Sequence, residues 1–271
     1  MKNNILIVAA VVIIFGGIAA YFFWPQIQPV SEPVHVQAPP PAPPPAPTPA
    51  PPPPVASQVI ETPPAPPLPT LAASDKFILD ALAGIIGNKS LMKLFHADRF
   101  IHNFVATIDN LPGRRAPMSV MPVKPASGKF VTAGTEDDLT IGTRNAARYT
   151  PYVRIAAAVD AKKLVGLYVR LYPLFQQAYE ELGYPKKYFN DRLIVVLDNL
   201  LAAPIIKGPV KLVQPNVFYQ YAVPSLERRS IGQRILMRLG RKNETAVKAK
   251  LREIRQELML NMRDNKVESA G

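Results

Sequence analysis

The chain has 271 residues, a net charge of +12 and no cysteine, which excludes a disulfide framework, thiolate zinc centres and cysteine nucleophiles. Of its 31 prolines, 20 lie between Pro25 and Pro69, so the part able to build a core starts at Leu71 and runs for about 200 residues. That length buries a core without staples, and its 31 basic and 18 acidic residues leave a surplus of +13 that favours anionic partners.

Residues 5–24, ILIVAAVVIIFGGIAAYFFW, carry no charge. At ~1.5 Å per residue they match a ~30 Å hydrocarbon layer and predict a transmembrane helix. Tyr21, Phe22, Phe23 and Trp24 fall at one end, where amphipathic rings prefer the headgroups. A cleaved signal peptide is the competing reading, but its apolar run is usually ~7–15 residues and large aromatics do not follow its small residues. Lys2 lies on one side, and no Lys or Arg occurs from Pro25 to Thr70 on the other. Residues 1–4 are therefore expected in the cytoplasm and the domain in the periplasm. Residues 25–70, with PPPAPPPAPTPAPPPP, predict a polyproline II spacer that reaches on the order of 140 Å at ~3.1 Å per residue. The same run offers PxxP ligands, but the domains that read them are mostly cytoplasmic.

The globular domain, residues 71–260, is expected to be mostly α with a few short strands. Ser74 is the predicted N-cap of a helix carrying Phe77, Ile78, Leu82 and Ile85, with Gly87 and Asn88 as its stop. Leu91, Leu94 and Phe95 continue to Asp98, the predicted cap for Phe100, Ile101, Phe104, Val105 and Ile108. Pro112, Pro117, Pro122 and Pro125 then bar regular structure, and residues 129–132 and 139–141 form a hairpin. Pro151 is expected to delay the next helix to Tyr152.

Asp160 caps the most strongly patterned helix. At 100° per residue, Leu164, Val165, Leu167, Tyr168, Leu171, Tyr172, Leu174, Phe175, Ala178, Tyr179 and Leu182 share one face. Pro173 falls on the polar side, where water can satisfy the carbonyl it frees, so a single helix bent near Pro173 is predicted. Asn190 or Asp191 caps the next helix, which carries Leu193, Ile194, Leu197, Leu200 and Leu201 and packs on it. Two strands around Pro215 follow, then an arm opened by Ser225 and a last helix capped by Asn243. Residues 261–271 are read as a disordered tail.

The ordered motifs FVATIDNLPGR from Phe104, ARYTPYV from Ala147, LYPLFQQAYEELGYP from Leu171, FNDRL from Phe189 and GPVKLVQPNVFYQYA from Gly208 resemble the bacterial family called domain of unknown function 3014. The resemblance covers about Leu71 to Leu260. It implies a proteobacterial, membrane-anchored protein with a proline-rich stalk and supplies no activity, cofactor or catalytic residue.

No motif in the chain carries chemistry. His96 and His102, six apart, point away from each other on a helix, so no metal is expected, and no cofactor. Two groups of residues stand out. The first is a polar edge of Gln176, Gln177, Glu180, Glu181, Tyr184, Asn190, Asp191 and Arg192. Its carboxylates, together with Asp198, offer an alternative reading as a peptidoglycan-active enzyme. The second is a basic arm of Arg228, Arg229, Arg234, Arg238, Arg241 and Lys242, a candidate contact for an anionic partner. Nucleic acid is not expected, since no aromatic follows Tyr221 to stack bases. The preferred reading is a non-enzymatic envelope protein, held in the bilayer by residues 5–24, that binds an envelope protein or the cell wall.

Overall fold

The computed structural model describes residues 67–87 and 89–268. The transmembrane helix expected at residues 5–24, nearly all of the expected spacer, Asn88 and residues 269–271 lie outside the described residues. The domain is mostly helical, with α1 (Ser74–Ile86), α2 (Phe100–Asn110), α3 (Asn145–Ala158), α4 (Ala161–Glu181), α5 (Phe189–Leu201), α6 (Pro224–Glu227), α7 (Ile231–Arg238) and α8 (Arg241–Glu268). Between α2 and α3 lies the antiparallel ribbon β1 (Thr132–Ala133) and β2 (Thr140–Ile141), with Thr132 opposite Ile141. Between α5 and α6 lies a second, β3 (Leu212–Val213) and β4 (Gln220–Tyr221), with Leu212 opposite Tyr221. The ribbons meet edge to edge, because Ile141 N donates to Val210 O at 3.0 Å and Leu212 N donates to Leu139 O at 2.8 Å.

Helix α4 is the spine that its periodicity predicts. Every residue of the predicted face from Leu164 to Tyr179 is buried; Leu182, one residue past the helix, is instead 42% exposed. Asp160 accepts from Lys163 N at 2.8 Å, as a cap should. The helix runs unbroken through the exposed Pro173. It packs on α2, α5 and α8. Its central aromatics make the densest part of the core. Phe175 lies 5.4 Å edge-on from Phe104 and 5.3 Å from Tyr168, and stacks on Phe189 at 6.0 Å. Helix α8 is a second organiser, packed on α3, α4, α5 and α7 through Val247, Leu251, Ile254 and Leu258.

Several helix boundaries differ from expectation, each for a physical reason. Ser74 is not a cap: Leu71–Ala73 already form a 3-10 turn, and the Ser74 hydroxyl donates to Leu71 O at 2.7 Å. Asp98 does not cap α2 either. Asp75, on α1, accepts from Arg99 N at 2.8 Å and from Phe100 N at 2.7 Å. Helix α3 starts at Asn145 and passes through Pro151, which is tolerated because Pro151 and Ala147, whose carbonyl it leaves unpaired, are both exposed to water. Ser225 lies inside the short α6, and Ser230 caps α7 by accepting from Gln233 N. Asn243 lies inside α8 and donates to Ala146 O and Leu239 O. Helix α8 continues to Glu268, where a disordered tail is expected, because adding residues to a long formed helix costs no new nucleation.

Gly232 marks where α7 meets α5 and the end of α2. A Cβ there would lie 2.5 Å from Leu200 Cδ2 and 3.1 Å from Leu111 O. Gly232→Ala is therefore expected to cost about 1–3 kcal/mol through overpacking, read from urea denaturation. A neutral result would mean that the Leu200 side chain turns aside or that α7 shifts away from α5.

Candidate functional site

The polar edge divides into a groove and two flanks. Tyr184, Asp191 and Arg192 line a cavity of about 470 Å³ together with Asp109, Tyr179, Tyr188, Lys186 and Lys187. Its base is continuous with the core: Tyr179 lies 5.4 Å from Phe189 and stacks on Tyr184 at 4.7 Å. Lys187 Nζ sits 5.2 Å over the Tyr184 ring. Asp109, at the end of α2, ties the walls together. Arg192 Nε approaches Asp109 Oδ1 at 2.7 Å, the same guanidinium donates to the Asp109 carbonyl, and the Tyr184 hydroxyl donates to Oδ2 at 3.1 Å. The Asp109 charge and its hydrogen bond raise the Tyr184 pKa, and burial raises that of Tyr179. Both hydroxyls stay protonated at neutral pH, and that of Tyr184 spends its proton on Asp109.

Gln176 holds the groove from below. Its Oε1 accepts from Phe189 N at 2.9 Å and from the Tyr172 hydroxyl at 3.0 Å, and its Nε2 donates to Lys187 O at 2.9 Å and to Glu180 at 2.8 Å. It thereby does for the start of α5 what Asn190 or Asp191 is expected to do. Asn190 is buried instead and accepts from the Tyr168 hydroxyl, while Asp191 remains exposed in the first turn of α5. Gln177 and Glu181 turn to the other flank, where Gln177 donates to Glu181 at 3.0 Å and His102 lies 2.8 Å from it.

These contacts give no support to Glu181 or Asp198 as a general acid. The hydrogen bonds from His102 and Gln177 hold the Glu181 carboxyl below its usual range, the opposite of what a general acid needs. Asp198 is gripped by Arg255 at 2.6 and 3.1 Å. Among the described residues no group of three or more His, Asp or Glu side chains is placed to hold a metal ion.

The six residues of the basic arm do not form one patch. Arg228 is exposed, and Arg229 approaches Gln233 at 3.5 Å. Arg234 pairs with Glu227 and donates to Arg114 O at 2.6 Å. Arg238 is buried, donates to the Tyr221 hydroxyl at 3.2 Å and lies 5.0 Å over that ring. Arg241 and Lys242 are exposed, and Arg241 lines a separate cavity of about 350 Å³ beside the buried Glu244. Sequence reasoning misses Asp109, Lys186, Lys187 and Arg114. Asp109 and Arg114 lie within or next to FVATIDNLPGR, but nothing local says that they face α5 or α7.

The model of a family described as a protein of unknown function (DUF3014) matches residues 100–255, which hold both the groove and the arginines of α7. No curated protein matches the chain. No solved structure matches it either.

Proposed function

Because the chain belongs to the DUF3014 family, whose description assigns no activity, its role rests on its own residues, and we propose that it is a single-pass inner-membrane protein presenting a wall-binding domain to the periplasm. The apolar run 5–24 and the Lys2 bias support the anchor and its direction. The proline-rich residues 25–70 supply reach. The observation that carries the binding role is the groove, with Tyr184 and Tyr188 half-buried in its walls and Lys186 and Lys187 exposed at its rim. Sugar rings lay their apolar faces on tyrosine rings while hydroxyls and carboxylates take hydrogen bonds from the edge. A glycan strand with acidic stem peptides meets both demands.

The test is co-sedimentation of the detergent-solubilised full-length chain with purified peptidoglycan sacculi. The wild type is expected in the pellet, and Tyr184→Ala with Tyr188→Ala is expected to weaken binding about tenfold, the equivalent of ~1.4 kcal/mol. A wild type that stays in the supernatant, or a double variant that sediments equally, rejects wall binding. A reporter fused after Thr70 that is active only in the cytoplasm rejects the topology.

A further inference from the structure

A second pocket, of about 290 Å³, opens where the connection after α2 meets β4 and α7. Arg114, Arg115, Arg234 and Arg238 line it, with Glu227 as its one carboxylate. Four guanidinium groups against one carboxylate leave a surplus of three positive charges. Such crowding is unfavourable in a partly buried site without an anion. The protein nevertheless holds the arginines in place. Arg114 donates to Arg228 O at 2.9 Å, Arg234 is fixed by Glu227 and Arg114 O, and Arg238 by the Tyr221 hydroxyl. The contacts of Arg114 and Arg234 use only part of their forks of five donors. The buried Nε of Arg234 has no acceptor, and Arg115 is exposed without an ion pair among the described residues. Phe218 and Tyr219, both half-buried, give the pocket an apolar wall.

We propose that this pocket binds a phosphoryl group, whose tetrahedral oxygens take the donors of Arg114, Arg115 and Arg234 while Phe218 and Tyr219 cover the organic part that bears it. A phosphoryl dianion suits the surplus better than a single carboxylate, and its oxygens match the geometry of guanidinium forks. The site shares no residue with the tyrosine groove and does not depend on wall binding.

The test uses the full-length chain in detergent, titrated calorimetrically with inorganic phosphate and with glycerol 3-phosphate against sodium chloride of equal ionic strength. Flotation with phosphatidylglycerol vesicles, against phosphatidylcholine vesicles, addresses a lipid source. Binding of the soluble phosphates identifies a soluble phosphoester, and binding of phosphatidylglycerol vesicles alone identifies a headgroup. In either case Arg115→Ala is expected to weaken binding about tenfold while its melting temperature stays at the wild-type value, because Arg115 supports no other residue. Arg234→Gln, checked for folding in the same way, is expected to act in the same direction. Tyr184→Ala is expected to leave phosphate binding unchanged. The proposal is overturned if neither source binds above its control, or if binding survives both arginine variants.

Discussion

Replacing Phe175 by alanine is expected to remove about 3–5 kcal/mol of stability and to lower the melting temperature by roughly 10 °C. Phe175 is fully buried and touches aromatic rings from three helices, Phe104 on α2, Tyr168 on its own helix and Phe189 on α5. Truncation removes the transfer free energy of the ring and leaves a cavity whose walls are themselves rigid rings, so little relaxation can fill it. Phe175→Leu, which keeps most of the volume, is expected to cost about 1–1.5 kcal/mol. Urea denaturation followed by circular dichroism measures both. A loss below about 1 kcal/mol for the alanine variant would show that these rings are not the centre of the core. The consequence reaches the groove, because Phe189 also carries Tyr179, and Tyr179 carries Tyr184.

The second large effect is electrostatic. Glu244, in the first turn of α8, is 1% exposed, and burial raises its pKa from 4.5 to about 7 against the opposing pull of Lys248. Their ion pair spans 3.6 Å, too long for a hydrogen bond, and Lys248 spends a donor on the Ala203 carbonyl. The other charged groups lining its cavity are Arg238 and Arg241. Because the folded state holds this proton more tightly than the unfolded chain, the folded state binds more protons between pH 4.5 and 7. Stability from this group is therefore greatest below pH 4.5 and falls as the pH rises to about 7. The full difference is about 3 kcal/mol at 1.36 kcal/mol per unit. Urea midpoints of the wild type at pH 5 and pH 8 are expected to differ by more than those of Glu244→Gln, which cannot titrate. Equal pH dependence in the two proteins would refute a burial-driven shift at Glu244.

What could be read ahead of the structure was the periodic part. The burial of Leu164 through Tyr179, the Asp160 cap and the stop at Gly87, whose φ is 64°, each follow from a few consecutive residues. The first β-ribbon was legible as a hairpin around the Gly134 turn, although its paired residues are Thr132–Ala133 and Thr140–Ile141; residues 210–213 and 217–221 were legible as β-prone segments but not as partners of each other. The caps were the weak point. Ser74, Asp98 and Asn190 have the right chemistry for caps, yet the first donates to a 3-10 turn and the last is drawn into the core by Tyr168. Asp75 and Gln176 take over the other two starts, from 24 and 13 positions away in the chain.

The candidate site follows the same division. Tyr184, Asp191 and Arg192 stood out because they surround the end of α4, and they do share one groove. Asp109, which joins them, lies 83 positions from Arg192, and His102 reaches Glu181 across 79. The basic arm looked uniform because charge was counted along the chain. Folding sends Arg234 and Arg238 into a pocket with Arg114 and Arg115, and leaves Arg241 and Lys242 outside it.

By itself the sequence determined that this is a mostly helical domain, which residues of α4 face its core, and which family it belongs to. Those properties repeat every 3.6 residues or lie in contiguous motifs, so they need no partner to be expressed. Only the tertiary structure decided that α8 is a second organiser, that Asp109 closes the groove, and that four arginines surround one pocket. Those outcomes depend on which helix faces which. That is settled by burying all the apolar faces at once, after which each polar group must take the partner left within hydrogen-bond reach.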